Sequence, residues 1–324
     1  MRIIDMHCDT ISRMYGEKKR GKNVRLRNNH FQLDLEKMKS SRYLLQNFAM
    51  FLDIRDTSSP YQDCKAQICL FQEELEHNKD MIRLVTSYPE ILNNQKQGKM
   101  SALMTLEEGD ACEGSIEKLQ EFRQLGIRMM TFTWNYPNRL GFPGEPAASH
   151  LSQSRGLTPL GREFLSEMER LGIIPDVSHL SDAGIRDVCK LAKKPICASH
   201  SNARSLCHRG RNLPDSLIRS IAEKGGVIGA NYYGPFLSHT PNVLGCYYSY
   251  VSDIVLHIRH IANIGGIDCI GLGSDFDGID NNLELKNCGC MDLLEQELKK
   301  AGFHEGEIDK IFYQNVLAFY KEML

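Results

Sequence analysis

The sequence predicts an α/β fold, a single (β/α)8 barrel of the TIM type spanning residues 1–324, and three observations lead to it. Eight short apolar, β-rich runs alternate with helical stretches, the pattern that builds a parallel sheet through helical crossovers. Residues of metal-ligand type, His7, Asp9, Glu108, His179, His200 and Asp275, stand at the carboxyl ends of these runs. In an α/β barrel those ends meet in one mouth, so ligands scattered along the chain converge there. The third observation is size: 324 residues with 42% hydrophobic composition fill one large barrel, a fold that commonly exceeds about 200 residues as one domain.

The eight runs are residues 2–7 (RIIDMH), 45–51 (LQNFAMF), 101–106 (SALMTL), 127–132 (IRMMTF), 173–178 (IIPDVS), 195–199 (PICAS), 226–231 (GVIGAN) and 268–273 (DCIGLG). Between them, residues 61–88 place Ile68, Phe71, Leu75, Ile82 and Val85 at helical spacing, a stripe that packs against the core. Thr158 and Pro159 read as an N-cap and first helical position, Leu160, Phe164, Met168 and Leu171 mark one face, and Gly172 supplies the stop. Ser181 caps a further helix that ends before Pro195. The Gly-, Pro- and Ser-rich segment 135–159 follows a strand and reads as a lid over the mouth.

Composition excludes several classes. A net charge of -2 gives no electrostatic footprint for nucleic acid or an anionic membrane. No stretch reaches the roughly 18 apolar residues of a membrane span, and the opening MRIIDMHCDT lacks the pattern of a signal peptide, which predicts a cytoplasmic protein. The 11 cysteines, Cys189 and Cys269 among them, read as reduced thiols, and Cys288 and Cys290 as two incidental thiols in a loop.

The chemistry follows from strand geometry. Side chains alternate along a strand, so His7 and Asp9 share a face while Cys8 turns toward the helices. After the third run, either Glu107 or Glu108 could bridge two ions with its two oxygens, and alternation alone does not choose between them. His179 and His200 end consecutive strands, which sets their imidazoles side by side, whereas His150, His208 and His239 fall in loops. Asp275, in GLGSDFDG, is either a ligand or a proton carrier, and Asp277 is a turn cap. Arg211 in HRGRNLPD, with Arg209 as its local competitor, can grip a carboxylate in two-pronged fashion.

Taken together, the motifs IIDMHCDT, LEEGDA, DVSHLS, CASHSNAR, GRNLPD and IGLGSDFDG resemble the renal (membrane) dipeptidase family of zinc peptidases, in order and over nearly the whole chain. The resemblance implies two zinc ions, His7, Asp9 and Glu108 holding one and Glu108, His179 and His200 the other. It further implies that Arg211 binds the substrate's terminal carboxylate, that Tyr233 lies near the substrate, that Asp275 is the catalytic acid, and that the chain forms homodimers. Relatives of the animal type carry a histidine after the fourth strand, where this chain has Trp134 in TFTWN; the resemblance marks this as a bacterial-type feature, with Trp134 contributing to substrate binding. An indole can donate one N–H but cannot take a proton. The expected activity is hydrolysis of dipeptides, including those with a C-terminal D-residue. The alternatives are a zinc amidohydrolase acting on N-acyl amino acids or lactams, and a metal-binding homologue without catalysis.

Overall fold

In the computed structural model, which describes residues 1–145, 154–241, 245–280 and 282–324, nine parallel strands form the sheet. They are β1 (Ile3–Asp5), β2 (Tyr43–Phe51), β3 (Ile82–Leu84), β4 (Met100–Glu107), β5 (Ile127–Thr131), β6 (Ile174–Asp176), β7 (Cys197–Ala198), β8 (Val227–Ala230) and β9 (Ile270–Leu272). The order β2-β1-β9-β8-β7-β6-β5-β4 closes through a β2–β4 ladder running from Leu45↔Ser101 to Phe51↔Glu107. All eight predicted strands are therefore barrel staves, and the fold is a TIM barrel with helices outside.

The ninth strand corrects one helical expectation. The helix Pro60–His77 stops well short of residue 88, and Ile82 lies in β3, paired with Met100. Ile82 and Val85, three residues apart, mimic helical spacing, but the backbone of Ile82–Leu84 pairs with β4, and Val85 N–H donates to Ala102 O at 2.9 Å. β3 occupies the start of the β4 edge that β5 takes over from Met104 onward, so it lies outside the closed ring.

Two apolar layers hold the barrel. Ile4, Met6, Leu45, Leu103, Met129, Ile174, Cys197 and Val227, from seven staves, fill the interior. Val316, Phe319, Tyr320 and Met323 of the helix Asn315–Met323 join them and stop the barrel end opposite the predicted site, Tyr320 Oη donating to Asn47 Oδ1 at 2.9 Å. Burying each such side chain contributes roughly 1.5–3 kcal/mol.

The predicted caps are present: Thr158 Oγ1 accepts from Gly161 N–H at 3.0 Å above the helix Pro159–Leu171, and Ser181 Oγ from Gly184 N–H at 3.1 Å above Asp182–Leu191. Gly172 closes the first of these at φ 68°, where a side chain would be strained. Of the predicted lid, residues 146–153, with His150, lie outside the described residues. The described flank is docked, with Gly144 N–H on His179 O at 2.7 Å and Ser181 N–H on Phe142 O at 2.8 Å. Cys269 and Cys189 are free thiols, the first buried and the second half-buried. No described helix is long and apolar enough to cross a membrane.

Candidate metal centre

Six side chains meet at the carboxyl ends of the staves: His7, Asp9, Glu107, His179, His200 and Asp275. His7 Nε2 faces three carboxylates, Asp9 Oδ2 and Glu107 Oε2 at 3.2 Å each and Asp275 Oδ1 at 3.7 Å. On the other side of Glu107, Oε1 lies 3.0 Å from His179 Nε2 and 3.5 Å from His200 Nε2. The His7 and His200 rings stack with centroids 3.8 Å apart. Glu107 thus spans the gap between His7 with Asp9 and the His179–His200 pair.

Glu108 does not join this cluster, which corrects the predicted ligand set. β4 runs to Glu107, and alternation carries Leu103, Thr105 and Glu107 to the barrel interior while Ala102, Met104 and Leu106 pack with the helices. Glu108 follows the strand at φ 97° and turns away, its carboxylate accepting from Trp134 N–H at 3.0 Å, Asp110 N–H at 2.9 Å and the Asn138 side-chain amide. Burial pushes its carboxyl up to about 7. The polar series Ser101, Thr105, Glu107 on one face was the signal that could have identified the inward position.

The histidines are oriented from behind. His179 Nδ1 lies 3.0 Å from Asn135 Oδ1, an acceptor, so that nitrogen carries the proton and Nε2 presents a bare lone pair. His200 Nδ1 lies 2.7 Å from Ser199 Oγ, whose own proton goes to Asp176 Oδ2. Asp176 Oδ1 meanwhile accepts from Ser178 N–H at 2.9 Å and Ser199 N–H at 3.0 Å, and Ser178 Oγ accepts from His200 N–H at 3.1 Å. With both Nδ1 protons committed, His179 Nε2 and His200 Nε2 face one another at 2.9 Å as two acceptors. Two lone pairs at that distance have no proton to share, and with Glu107 Oε1 between them they form a donor set for a cation. Asp5 plays at β1 the part Asp176 plays at β6, its Oδ1 accepting from His7 N–H at 3.2 Å and Ser274 N–H at 2.9 Å.

Electrostatics point the same way. Burial holds His179 down to about 4 and His200 well below its ordinary value, which keeps both imidazoles neutral. Burial opposes ionisation of Glu107, but the charge on His7, foremost, and the close contacts with His179 and His200 outweigh it and hold the carboxyl well below its usual range. Burial and the Glu107 charge push Asp9 up to about 8, and its Oδ1 has no partner. Crowded carboxylates with an orphaned buried oxygen, beside neutral imidazoles, fit divalent metal. The ligand-type atoms of His7, Glu107 and His200, and those of His7, Asp9 and Asp275, form two groups in which all lie within 4.8 Å of one another.

His179 and Asp275 adopt φ of 68° and 65°, left-handed conformations that cost non-glycine residues about 1–3 kcal/mol each and concentrate at functional sites. Asp275 Oδ2 is held by Asn231 Nδ2 at 2.8 Å. Asp277 staples the outer loop, accepting from Thr10 Oγ1 at 2.7 Å and Gln32 N–H at 2.8 Å. Asp9, Glu107, His179 and Asp275 open into a cavity of about 780 Å³ whose apolar wall includes Phe51, Leu52, Trp134, Tyr233 and Phe236. That volume lies within the usual range for small-ligand sites, about 300–1,000 Å³. Trp134 stands edge-on to Phe51 with centroids 4.9 Å apart, and 6.3 Å from the His179 ring. Arg211 is buried behind His200, Nη2 donating to His200 O at 2.7 Å and Nη1 to Ser201 Oγ at 2.8 Å, while its Nε has no partner. Asn135, Asp176, Ser199 and Asn231 are the positions that sequence reasoning missed; Asp176 stands three residues before His179, and the others sit one residue from a strand-end feature.

Comparison with known proteins places this geometry in a family. The model of the membrane dipeptidase family, peptidase family M19, matches residues 1–323. A protein encoded in the pqqA 5' region of Klebsiella pneumoniae is 31% identical over 270 residues, covering 79% of this chain and 94% of its own length. An uncharacterised dipeptidase of Schizosaccharomyces pombe is 29% identical over 305 residues, covering 89% of this chain and 71% of its own. The fold matches a metallopeptidase of Rhodobacter sphaeroides, crystallised with a phosphinate mimic of L-Ala-D-Ala, at a TM-score of 0.88 with 23% identity over 100% of this chain and 99% of that one. The chain belongs to the membrane dipeptidase family, peptidase family M19, and is a metallodipeptidase.

Proposed function

We propose that the chain hydrolyses dipeptides with two zinc ions, His7, Asp9 and Glu107 holding one and Glu107, His179 and His200 the other. The observation that carries this reading is the paired, proton-free Nε2 atoms of His179 and His200 facing Glu107 Oε1. Three imidazole nitrogens and carboxylate oxygens suit zinc, and bound metal would polarise an amide carbonyl and lower the pKa of a water from 15.7 to about 7.

The chain's own residues do the rest. Asp275, oriented by Asn231, takes the attacking water's proton on Oδ1 and returns it to the leaving amine. Arg211, buried behind His200, supplies the positive charge for the substrate's C-terminal carboxylate, its Nε–H being without a partner in the protein. Anchoring the chain terminus limits the length of the substrate and favours dipeptides. Trp134, Phe51 and Tyr233 wall the cavity and exclude water from the scissile bond. A C-terminal D-residue is part of the proposal, supported by the dipeptide mimic in the Rhodobacter sphaeroides relative.

The test is turnover of L,L- and L,D-dipeptides beside N-acyl amino acids, before and after chelation and zinc replacement. Zinc-restored cleavage of dipeptides is expected. Cleavage of N-acyl amino acids in preference to dipeptides would move the assignment to another amidohydrolase.

A further inference from the structure

We propose that Glu108 is a positioning residue that docks the loop carrying Trp134 and Asn135 onto the metal centre, so that one carboxylate sets both the aromatic wall of the cavity and the hydrogen bond that orients His179. Its kinetic consequence rests on the dipeptidase reading; the docking itself rests on geometry alone.

The Glu108 carboxylate is buried and receives three N–H donors from two segments. Oε2 takes Trp134 N–H at 3.0 Å; Oε1 takes Asp110 N–H at 2.9 Å and the Asn138 amide. Asn138 in turn winds the loop on itself, donating to Phe132 O at 2.8 Å and accepting from Leu140 N–H at 2.8 Å and Gly141 N–H at 3.1 Å. Glu108 therefore grips both ends of the short span that holds Asn135 and Tyr136. Within that span, Asn135 Oδ1 accepts from His179 Nδ1 at 3.0 Å, and the Trp134 ring packs against Phe51 and Tyr136 at 4.9 and 5.7 Å. The grip is fixed on the strand side too, since Glu108 N–H donates to Thr131 Oγ1 at 3.0 Å on the neighbouring stave. A residue held at φ 97° persists only where its surroundings over-determine it, and these four bonds do so.

The carboxylate is needed because all three side-chain contacts are donors. A glutamine of the same shape presents an NH2 group to at least one of them, and two donors in contact repel. The loop would then lose one anchor while the ligand set of Glu107 stays intact.

Trp134 is the only tryptophan in the chain, so its emission reports the position of this loop directly. The experiment compares wild type, Glu108→Gln and Asn138→Ala as full chains at saturating zinc, reading emission maximum, acrylamide quenching, and KM and kcat on one dipeptide. Expected for Glu108→Gln are a red-shifted, more quenchable Trp134 and a KM raised about tenfold with kcat lowered less than about threefold, the signature of lost substrate binding. Asn138→Ala moves the same readouts in the same direction by less. Unchanged emission and KM in Glu108→Gln would overturn the inference, as would a collapse of kcat with Trp134 emission unmoved, which would place Glu108 among the ligands. Should Glu108→Gln not fold, unaltered emission and KM in Asn138→Ala would overturn it. A wild type that binds no zinc and cleaves no dipeptide refutes the functional reading, while the emission comparison still decides the docking.

Discussion

Replacing Ser199 by alanine removes one oxygen that stands between Asp176 and His200, and the structure sets the size of the effect. Ser199 Oγ accepts from His200 Nδ1 at 2.7 Å and donates to Asp176 Oδ2. In its absence Asp176 keeps its two backbone donors on Oδ1, so the β6–β7 mouth stays braced, but His200 Nδ1 loses its acceptor. The tautomer protonated on Nε2, which cannot bind metal, is then no longer disfavoured. One net hydrogen bond is worth about 0.5–1.5 kcal/mol, and at 1.4 kcal/mol per tenfold that gives up to about a tenfold loss of zinc affinity. The loss commonly measured for such outer partners of ligating histidines is about 10–100-fold, so the two ranges meet near tenfold. The assay is competition for zinc against a chelator of known affinity, followed by Trp134 emission beside His179 and checked by metal content. A Ser199→Ala protein that holds zinc within about twofold of wild type would refute the claim that this Asp–Ser–His chain sets the metal-binding tautomer.

Two further outcomes are expected. Asp275→Asn keeps its contact to Asn231 and the metal ligands but cannot carry a proton, so zinc content should persist while kcat falls by about 10²–10⁴; turnover near wild type would remove Asp275 from its role. His257 is buried as a neutral ring, Nδ1 accepting from Ala203 N–H and Nε2 donating to Leu237 O, each at 3.0 Å, and burial, aided by the nearby His260, pushes its pKa down to about 4 against the Leu237 bond. Because the unfolded chain takes a proton near 6.5 and the folded one does not, this stability is intact above about pH 6.5 and lost as pH falls toward 4. Between pH 7.5 and 4.5 the loss is about 2.5 kcal/mol, so urea unfolding of wild type should weaken by that much more than that of His257→Gln; equal pH slopes would contradict it.

Much of this was legible in the chain because a barrel writes itself as repeated apolar runs and places its ligands just past them. His7, Asp9, His179, His200 and Asp275 come together where strand ends predict. Legibility failed where a choice depended on register. Glu107 and Glu108 are adjacent, and only the position of β4 against its neighbours, with Leu103 facing in and Leu106 out, decides which carboxylate enters the mouth. β3 was hidden because three residues carry too little alternation to compete with a helical stripe leading into them. Asp176, Ser199 and Asn135 were invisible because their function is to hold another side chain, a relation between residues 23 and 44 positions apart that no local pattern records.

The most direct test of the account is metal content, by elemental mass spectrometry, of wild type, Glu107→Gln and Glu108→Gln loaded with zinc side by side. With Glu107 shared between two ions and Glu108 outside the ligand set, wild type and Glu108→Gln should each hold about two zinc per chain, and Glu107→Gln fewer than about one. Two zinc retained in Glu107→Gln, with loss in Glu108→Gln, would contradict the account.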